Sequence, residues 1–539
     1  MLRVFTKALS FALLLALPLT SQSNNLTLAQ IQQIAKSGTP GLALTLLDKQ
    51  HPNVEQGFDE WFRWSKARTE ILTQWRSWER AEKHLRNLPD GLPEPLRRWA
   101  QSQRAWLLLE LSEGARAREV LRDLIWREGG RDEDPTEIAL WRRLIIRSYL
   151  VEDKIVDAAT AMHRYQQDFA STQPQWLALR ARILLRQGTP QAVLELSPEA
   201  QAKLPVSLRM LAELRSGVAN PLSVYDHAIS LARAETTAIQ DRPRFWLIAA
   251  EASAQREDAA GHIEALEQAI LAAGGNFGAD KLFFASPHAL WRAYRQYGVE
   301  LANSEQLLVG DDVAWLNAVL RSVDGGAYLR SKGLLAAMSE VATSEARREQ
   351  AQVQLAQVIN QEYGNWDIAA YLFSDPLLFP SFLHVPPAVR DVLVEEALAR
   401  GDVVKASELL ATLPLDGREK AFDNQLRRAR VLVMGGRVSE GREQLDRILD
   451  DQLFLAPDQL DKYMQILFDL QSAEQHEVAL GLFSRLEKER QLPSERRREL
   501  FYWIAESHSR QGQFDKAALY YMRSATYTRP DGADLWGQS

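Results

Sequence analysis

A small residue followed four positions later by a bulky apolar residue recurs along the chain at nearly constant spacing. The two members of such a pair share one face of a helix, where the small residue admits a neighbouring helix and the bulky one fills the groove beside it. Nine pairs follow this pattern: Ala43/Leu47, Ala81/Leu85, Val120/Leu124, Ala158/Met162, Ala369/Phe373, Ala406/Leu410, Gly441/Leu445, Ala479/Phe483 and Ala517/Tyr521. The small residues are 38, 39 and 38 positions apart in the first run and 37, 35, 38 and 38 apart in the second.

The pattern continues less regularly between the two runs. Small residues at a similar spacing there are Val193, Ala228 and Ala265, and bulky residues recur at steps of 35 one helix earlier, as Trp141, Trp176, Leu211 and Trp246. In the last repeat, a turn at 511–513 separates two segments, 501–510 and 514–528, that are each apolar on one side. Each repeat is therefore predicted to be a helical hairpin.

The predicted fold class is all-α. No segment alternates apolar and polar residues with a period of two over a useful length, so strands are not expected. The expected architecture is an α-solenoid (superhelix) of about 12–14 helix-turn-helix repeats, in which each hairpin packs only against its neighbours.

The repeat resembles the tetratricopeptide repeat (TPR), most fully over residues 498–530. The family's large, large, small, glycine, alanine and aromatic positions are occupied there by Phe501, Ile504, Ala505, Gly512, Ala517 and Tyr521. Gly364, Ala369 and Phe373 match in a second repeat, and Gly401 and Ala406 match in a third. Most units are longer than the family's usual length of about 34 residues, so the resemblance is to a divergent array. It covers residues 26–260 and 345–530.

Five segments are predicted from these observations. They are a signal peptide at 1–23, an N-terminal TPR-like array at 24–270, an atypical helical segment or insertion at 271–345, a C-terminal TPR-like array at 346–530 and a tail at 531–539. Glycine-rich connections at 272–278 and 323–326 mark the atypical segment. It is either two or three repeats with longer loops or an insertion that carries the specific contact of the protein.

The N-terminus has the features of a secretory signal. Arg3 and Lys7 accompany an apolar stretch at 8–17 that is too short to span a bilayer, and Ser21 and Ser23 suit cleavage before Asn24. No cysteine follows, so a bacterial lipid anchor is not expected. We expect a secreted protein of bacterial type, exported by the general route to a Gram-negative periplasm, with no transmembrane span after signal cleavage. The alternative is that this segment stays uncleaved and anchors the protein to a membrane.

Composition and motifs point away from catalysis. The chain has no cysteine, which excludes disulfides, thiolate metal sites and cysteine nucleophiles. Its formal net charge of −7 argues against nucleic acid as a partner. Phosphate-binding glycine loops, the serine nucleophile elbow and the paired-histidine zinc motif are all missing from the sequence. No catalytic residue, cofactor or metal is therefore predicted.

The TPR resemblance implies a binding groove. In that family the first helix of each repeat lines the concave surface, which here implies Arg143, Arg147, Arg182, Arg186, Tyr502, Glu506, Ser509 and Arg510 as partner-binding residues. Each arginine pair is spaced i, i+4, so both guanidinium groups project from one helix face and could grip carboxylates or an anionic polymer. The alternative is a chance distribution of arginines over solvated faces.

The function predicted from this pattern is a periplasmic scaffold or adaptor that binds a peptide segment of a protein partner in cell-envelope assembly, export or peptidoglycan-related processes. One alternative is the superhelical domain of a peptidoglycan-acting enzyme whose active residues lie in the atypical interval at 270–345. Glu506-Ser507 resembles the catalytic pair of soluble lytic transglycosylases, but it lies inside the best-matching repeat helix and no transglycosylase domain follows, so catalysis there is not expected. Another is a polysaccharide-binding module that uses Trp61 and Trp64, whose simpler interpretation is core packing.

Overall fold

The structure, a computed structural model, consists of α-helices joined by turns. It describes residues 26–37, 40–54, 57–75, 77–89, 91–128, 135–169, 172–413, 421–452, 455–472, 474–489, 492 and 494–527. Over these residues the chain forms 28 α-helices, one short 3-10 helix at Phe382–His384 and no β-strand. The helices pack mainly on their neighbours along the chain. The fold is an all-α solenoid, which confirms the predicted class. The predicted signal peptide and tail lie outside the described residues.

The helices belong to two compact units. The N-terminal unit comprises the described residues of Met1–Asn220 together with Phe277–Phe284. Its helices, within the described ranges, are α1 (Leu28–Lys36), α2 (Pro40–Gln50), α3 (Phe58–Gln74), α4 (Trp78–Arg86), α5 (Glu94–Glu110), α6 (Gly114–Glu128), α7 (Pro135–Val151), α8 (Ile155–Asp168), α9 (Pro174–Arg186), α10 (Gln191–Leu194), α11 (Pro198–Ala202) and α12 (Val206–Arg215).

The C-terminal unit comprises the described residues of Pro221–Asn276 and Ala285–Ser539. Its described helices are α13 (Pro221–Arg233), α14 (Arg242–Gln255), α15 (Ala259–Ala273), α16 (Pro287–Ser304), α17 (Asp312–Asp324), α18 (Tyr328–Val341), α19 (Glu345–Tyr363), α20 (Asp367–Phe373), α21 (Pro387–Ala399), α22 (Val403–Ala411), α23 (Phe422–Met434), α24 (Val438–Asp451), α25 (Pro457–Ser472), α26 (His476–Glu489), α27 (Ser494–Arg510) and α28 (Phe514–Thr526). The boundaries predicted at residues 270 and 345 separate regular repeats from atypical ones. The division into two units does not test that distinction, so these boundaries stay predictions.

The predicted small residues occupy an equivalent place in several hairpins. In each case the backbone N–H of the small residue donates to the carbonyl of the residue that precedes the second helix, at 3.0–3.1 Å: Ala81 to Ser77, Ala158 to Lys154, Ala406 to Asp402, Ala479 to Gln475 and Ala517 to Gln513. All five alanines are buried. The small residue therefore sits in the first turn of the second helix, where the first helix of the hairpin approaches closely.

The third predicted pair, Val120/Leu124, is displaced by one helical turn. Val120 is only half-buried, whereas Ala117 and Leu121 are both completely buried. The N–H of Ala117 donates to the Glu113 carbonyl at 3.0 Å, which is the bond that marks the small position elsewhere. The sequence pattern was ambiguous here because residues three apart share a helix face.

The tryptophan-rich start of the chain is mostly core. Trp61 and Trp64 are buried, as the core-packing interpretation predicts, and the imidazole of His51 lies edge-on to both rings. Further along, Trp141 and Trp176 are also buried. Trp126 is different, because 84% of its surface is exposed. Among the described helices, none is both long and apolar enough to cross a membrane.

The interval predicted to be atypical is helical and contains an unusually close contact. The expected helices at 290–301 and 313–320 are confirmed as parts of α16 and α17. Helix α16 packs closely on α18, the second helix after it. A Cβ atom added to Gly298 of α16 would overlap the carbonyl oxygen of Gly333 in α18, so the two backbones touch.

A buried charge cluster lies beside this contact. The ammonium group of Lys332, fully buried, pairs with Glu267 of α15 and lies 2.6 Å from a carboxylate oxygen of Glu362 in α19. The hydroxyls of Tyr294 and Tyr363 donate to Glu267, the latter at 2.6 Å. Burial raises the pKa of both tyrosines and of Glu362. Four helices of the C-terminal unit are thereby joined through one polar centre.

Candidate partner-binding groove

Helices α25, α26 and α27 enclose an open cavity of about 950 Å³ in the C-terminal unit. Its walls combine aromatic, acidic and amide side chains with a single arginine. The lining residues are Phe468, Gln471, Ser472, Glu474, Gln475, His476, Glu477, Val478, Trp503, Glu506, Arg510 and Gln511. The size suits a short peptide segment or a few anchoring side chains.

An aromatic pair forms the apolar part of the cavity. The rings of Phe468 and Trp503 lie 4.5 Å apart between centroids. The side-chain amide of Gln471 donates to the Trp503 carbonyl at 2.9 Å and to the Ser507 hydroxyl at 2.6 Å, which ties α25 to α27. Because these bonds fix the spacing of the two helices, the aromatic pair is held in place before any partner arrives.

Glu506 is the best-anchored charge in the cavity. Its carboxylate accepts a hydrogen bond from the Tyr521 hydroxyl at 2.7 Å and another from Nε of Arg510 at 3.0 Å. The bond from Tyr521, aided by Arg510, holds the pKa of Glu506 below its ordinary value, so the group stays ionised at neutral pH. Burial and this same bond raise the pKa of Tyr521, which therefore remains a donor.

The remaining charges of the cavity are acidic. Glu474 and Glu477 are exposed, and neither forms an ion pair with any residue that the structure describes. The Nδ1 atom of His476 is buried and has no hydrogen-bond partner within the described ranges. Three carboxylates therefore line the cavity against one arginine, and the surface favours a ligand that carries positive charge.

Two of the four residues predicted for the last repeat line this cavity, namely Glu506 and Arg510. Tyr502 packs instead against Tyr521, with ring centroids 5.7 Å apart. Ser509 is half-buried on the same helix. Their role in partner binding stays a prediction.

The four arginines predicted for the N-terminal groove each engage a group of the N-terminal unit. Arg143 donates to the Tyr165 hydroxyl at 3.1 Å and to the Gln173 side chain at 3.0 Å. The other three meet acidic groups: Arg147 pairs with Glu110 at 2.5 Å, Arg182 pairs with Asp280 at 3.3 Å, and Arg186 pairs with Asp153. The acidic partners offset much of the positive charge of these arginines. The anion-binding patch predicted for them stays a prediction.

Sequence reasoning missed the aromatic and histidine components of the C-terminal cavity. One helix face carries Trp503, Glu506 and Arg510, which are spaced i, i+3, i+7. This spacing could have indicated that Trp503 lies beside the two predicted residues. Phe468 and His476 come from the preceding repeat, and nothing in their local sequence indicates that they meet α27. No group of three potential metal ligands occurs among the residues that the structure describes.

No family model and no curated protein sequence matches the chain. Among solved structures, it is similar to a chain of the APC/C hetero-tetramer Cut9-Hcn1, with 13% identity over 94% of this chain and 88% of that one and a TM-score of 0.31. It is also similar to yeast Tom70, with 12% identity over 93% and 91% of the two chains and a TM-score of 0.22.

Proposed function

We propose that the protein is a periplasmic, TPR-like scaffold that binds a peptide segment of a partner protein in the groove between α25, α26 and α27. The observation that carries this proposal is the 950 Å³ cavity, with its preformed Phe468–Trp503 pair and its acidic rim. A solenoid of stacked hairpins offers such a surface without any reactive group. The periplasmic location rests on the predicted signal peptide alone.

The chemistry of the groove defines the kind of segment that fits. The aromatic pair suits an apolar side chain, and Glu474 and Glu477 suit a lysine or arginine nearby. We infer a segment that has a basic residue within a few positions of an apolar one. Cell-envelope assembly, export and peptidoglycan-related processes are the settings in which such a scaffold is proposed to work.

The groove favours binding over catalysis at Glu506-Ser507. The Ser507 side chain is buried and bonded to Gln471, so it is not presented to a substrate. A general acid at neutral pH needs a raised pKa, whereas the pKa of Glu506 is lowered by its bond from Tyr521. We therefore infer that the groove does not act as the active site of a peptidoglycan-cleaving enzyme.

Co-purification tests the proposal. Tagged protein is cross-linked in its own cells and purified, and the attached protein is identified by mass spectrometry. We expect one stoichiometric partner, whose yield falls severalfold in Glu477→Lys because that change reverses a rim charge. The matched control is Glu443→Lys, which alters an exposed glutamate on α24 that pairs with Arg447 outside the cavity.

Equal recovery from Glu477→Lys and the wild type would contradict the groove assignment, as would equal loss in Glu443→Lys. A separate variant tests the predicted arginine patch. If the N-terminal unit contributes to partner binding, Arg143→Glu combined with Arg182→Glu lowers the recovery of the partner. Release of muropeptides from murein sacculi by the purified protein would contradict the scaffold proposal and support the enzyme alternative.

A further inference from the structure

A second cavity lies in the N-terminal unit, between helices α6, α7 and α8, and has the opposite charge. Its volume is about 630 Å³. Helices α6 and α8 follow the turns of their hairpins, so this cavity is built mainly from second helices. It shares no residue with the groove described above.

Trp126 is the most unusual residue of this cavity. It lies near the end of α6, and 84% of its surface is exposed, whereas the tryptophans of α3, α7 and α9 named above are buried. An exposed indole gains apolar contact only when something covers it. Beside it the floor is apolar, formed by the completely buried Ile146 and the half-buried Ile145 and Ala161.

Arginines stand on both sides of this floor. Among the residues that the structure describes, Arg122 on α6 bonds only to the carbonyl of Arg118, at 3.4 Å, and Arg164 on α8 forms no ion pair or hydrogen bond. Both are exposed. Arg142 on α7 is already held by Asp168 and lies 5.6 Å from the ring centroid of Phe169. Two guanidinium groups are thus available to a ligand.

The acidic groups of the cavity do not balance these charges. One carboxylate, Asp157 in the first turn of α8, lines it against three arginines, one of which Asp168 neutralises from outside. Arginine is the side chain best suited to hold carboxylates in two-point hydrogen bonds. Trp and Arg are also the residue types that contribute most to protein interfaces.

We propose that this cavity is a docking site for an acidic peptide segment of a partner protein, with an apolar side chain seated beside Trp126 and flanking carboxylates held by Arg122 and Arg164. The apolar floor of Ile145, Ile146 and Ala161 matches a hydrophobic side chain, and the exposed guanidinium groups match carboxylates, a combination that an acidic peptide with one apolar residue supplies. The site is independent of the acidic groove in the C-terminal unit.

Synthetic peptides test this site on the full-length protein. The probe is a fluorescein-labelled pentapeptide with phenylalanine at its centre and two glutamates on each side, and its binding is measured by fluorescence anisotropy. Two comparison peptides replace the glutamates with lysines or the phenylalanine with serine. We expect the acidic phenylalanine peptide to bind and each comparison peptide to bind at least about tenfold more weakly.

Variants locate the binding. Trp126→Ser and the double variant Arg122→Glu with Arg164→Glu should each weaken binding of the acidic peptide about tenfold or more. The matched controls are Trp75→Ser, an exposed tryptophan after α3, and Arg63→Glu, an exposed arginine on α3. Both controls, and Glu477→Lys in the other groove, should leave the binding unchanged.

Three results would overturn the proposal. One is absence of binding at millimolar peptide. Another is equal loss in the control variants. The third is displacement of the peptide by polygalacturonate together with full binding of the serine peptide, which would identify the surface as a site for anionic glycans. Failure here leaves the proposed function of the C-terminal groove intact, because the two tests change different residues.

Discussion

Gly298 of α16 lies directly against the backbone of Gly333 in α18, with no room for a Cβ atom on the first glycine. Contact between two helix backbones at paired glycines brings the helix axes as close as sterics allow. Lys332 precedes Gly333 in α18, and its buried ammonium group pairs with Glu267 of α15. The close crossing and the buried ion pair are therefore neighbours in the same helix, and each can be tested by its own substitution.

Replacing the first of these glycines tests the close crossing. We expect Gly298→Ala to lower the free energy of unfolding of the C-terminal unit by about 3 kcal/mol, because the new methyl group must displace backbone. Hydrogen exchange should rise most at 287–341. The control is Gly481→Ala in α26, where the nearest neighbour of the added Cβ is the end of the Arg442 side chain at 3.7 Å. That change should be neutral or slightly stabilising. Equal effects of the two substitutions would contradict the crossing.

The buried ammonium group gives a second prediction. Lys332→Met should cost about 3–5 kcal/mol, because it leaves the buried carboxylate of Glu267 without its counter-charge. Adding Glu267→Gln to Lys332→Met should recover part of this loss, since the uncompensated charge is removed. Urea unfolding of the two single variants and the double variant measures the coupling. Additive losses would show that the two groups do not form a pair.

His84 on α4 makes the stability of the N-terminal unit depend on pH. Burial, with a smaller effect of Arg68, lowers the pKa of this imidazole to about 4. In the unfolded chain the imidazole is therefore protonated near pH 6.5, whereas in the folded chain it stays neutral until the pH is much lower. The stability that His84 contributes is present above pH 6.5 and is lost as the pH falls toward 4.

Two measurements check that the stability contributed by His84 falls as the pH falls. An NMR titration should place the His84 imidazole near pH 4, and His84→Leu should flatten the fall in stability between pH 6.5 and 4. An imidazole that titrates at its ordinary pKa, or an unchanged pH profile in the variant, would contradict the burial of His84.

The repeat architecture was predictable from the sequence because it depends on the regular spacing of small and bulky apolar residues along the chain. A small residue four positions into the second helix of a hairpin, such as Ala479, is a requirement that each repeat must meet separately. In the third hairpin, both Ala117 and Val120 lie on the helix face where the small residue is needed. The prediction placed the small position at Val120, one helical turn after its actual location at Ala117. Helix boundaries depend on caps and turns, which are less regular than the core.

The candidate groove was only partly predictable. Glu506 and Arg510 follow from the TPR resemblance, because their helix face is set by the repeat. Phe468 and His476 contribute from the preceding repeat, and the stacking of one hairpin on the next decides whether they face Trp503. The Lys332 cluster was missed for a related reason, since its partners lie up to 96 residues apart along the chain from Glu267 to Tyr363.

The proposed partner occupies the groove between α25, α26 and α27. Photo-crosslinking in living cells tests it most directly, with a photoreactive amino acid placed at position 477 in the groove or at position 443 on α24. We expect one discrete cross-linked protein from position 477 and much less from position 443. Equal labelling at the two positions, or no cross-link at 477 while 443 gives one, would contradict it.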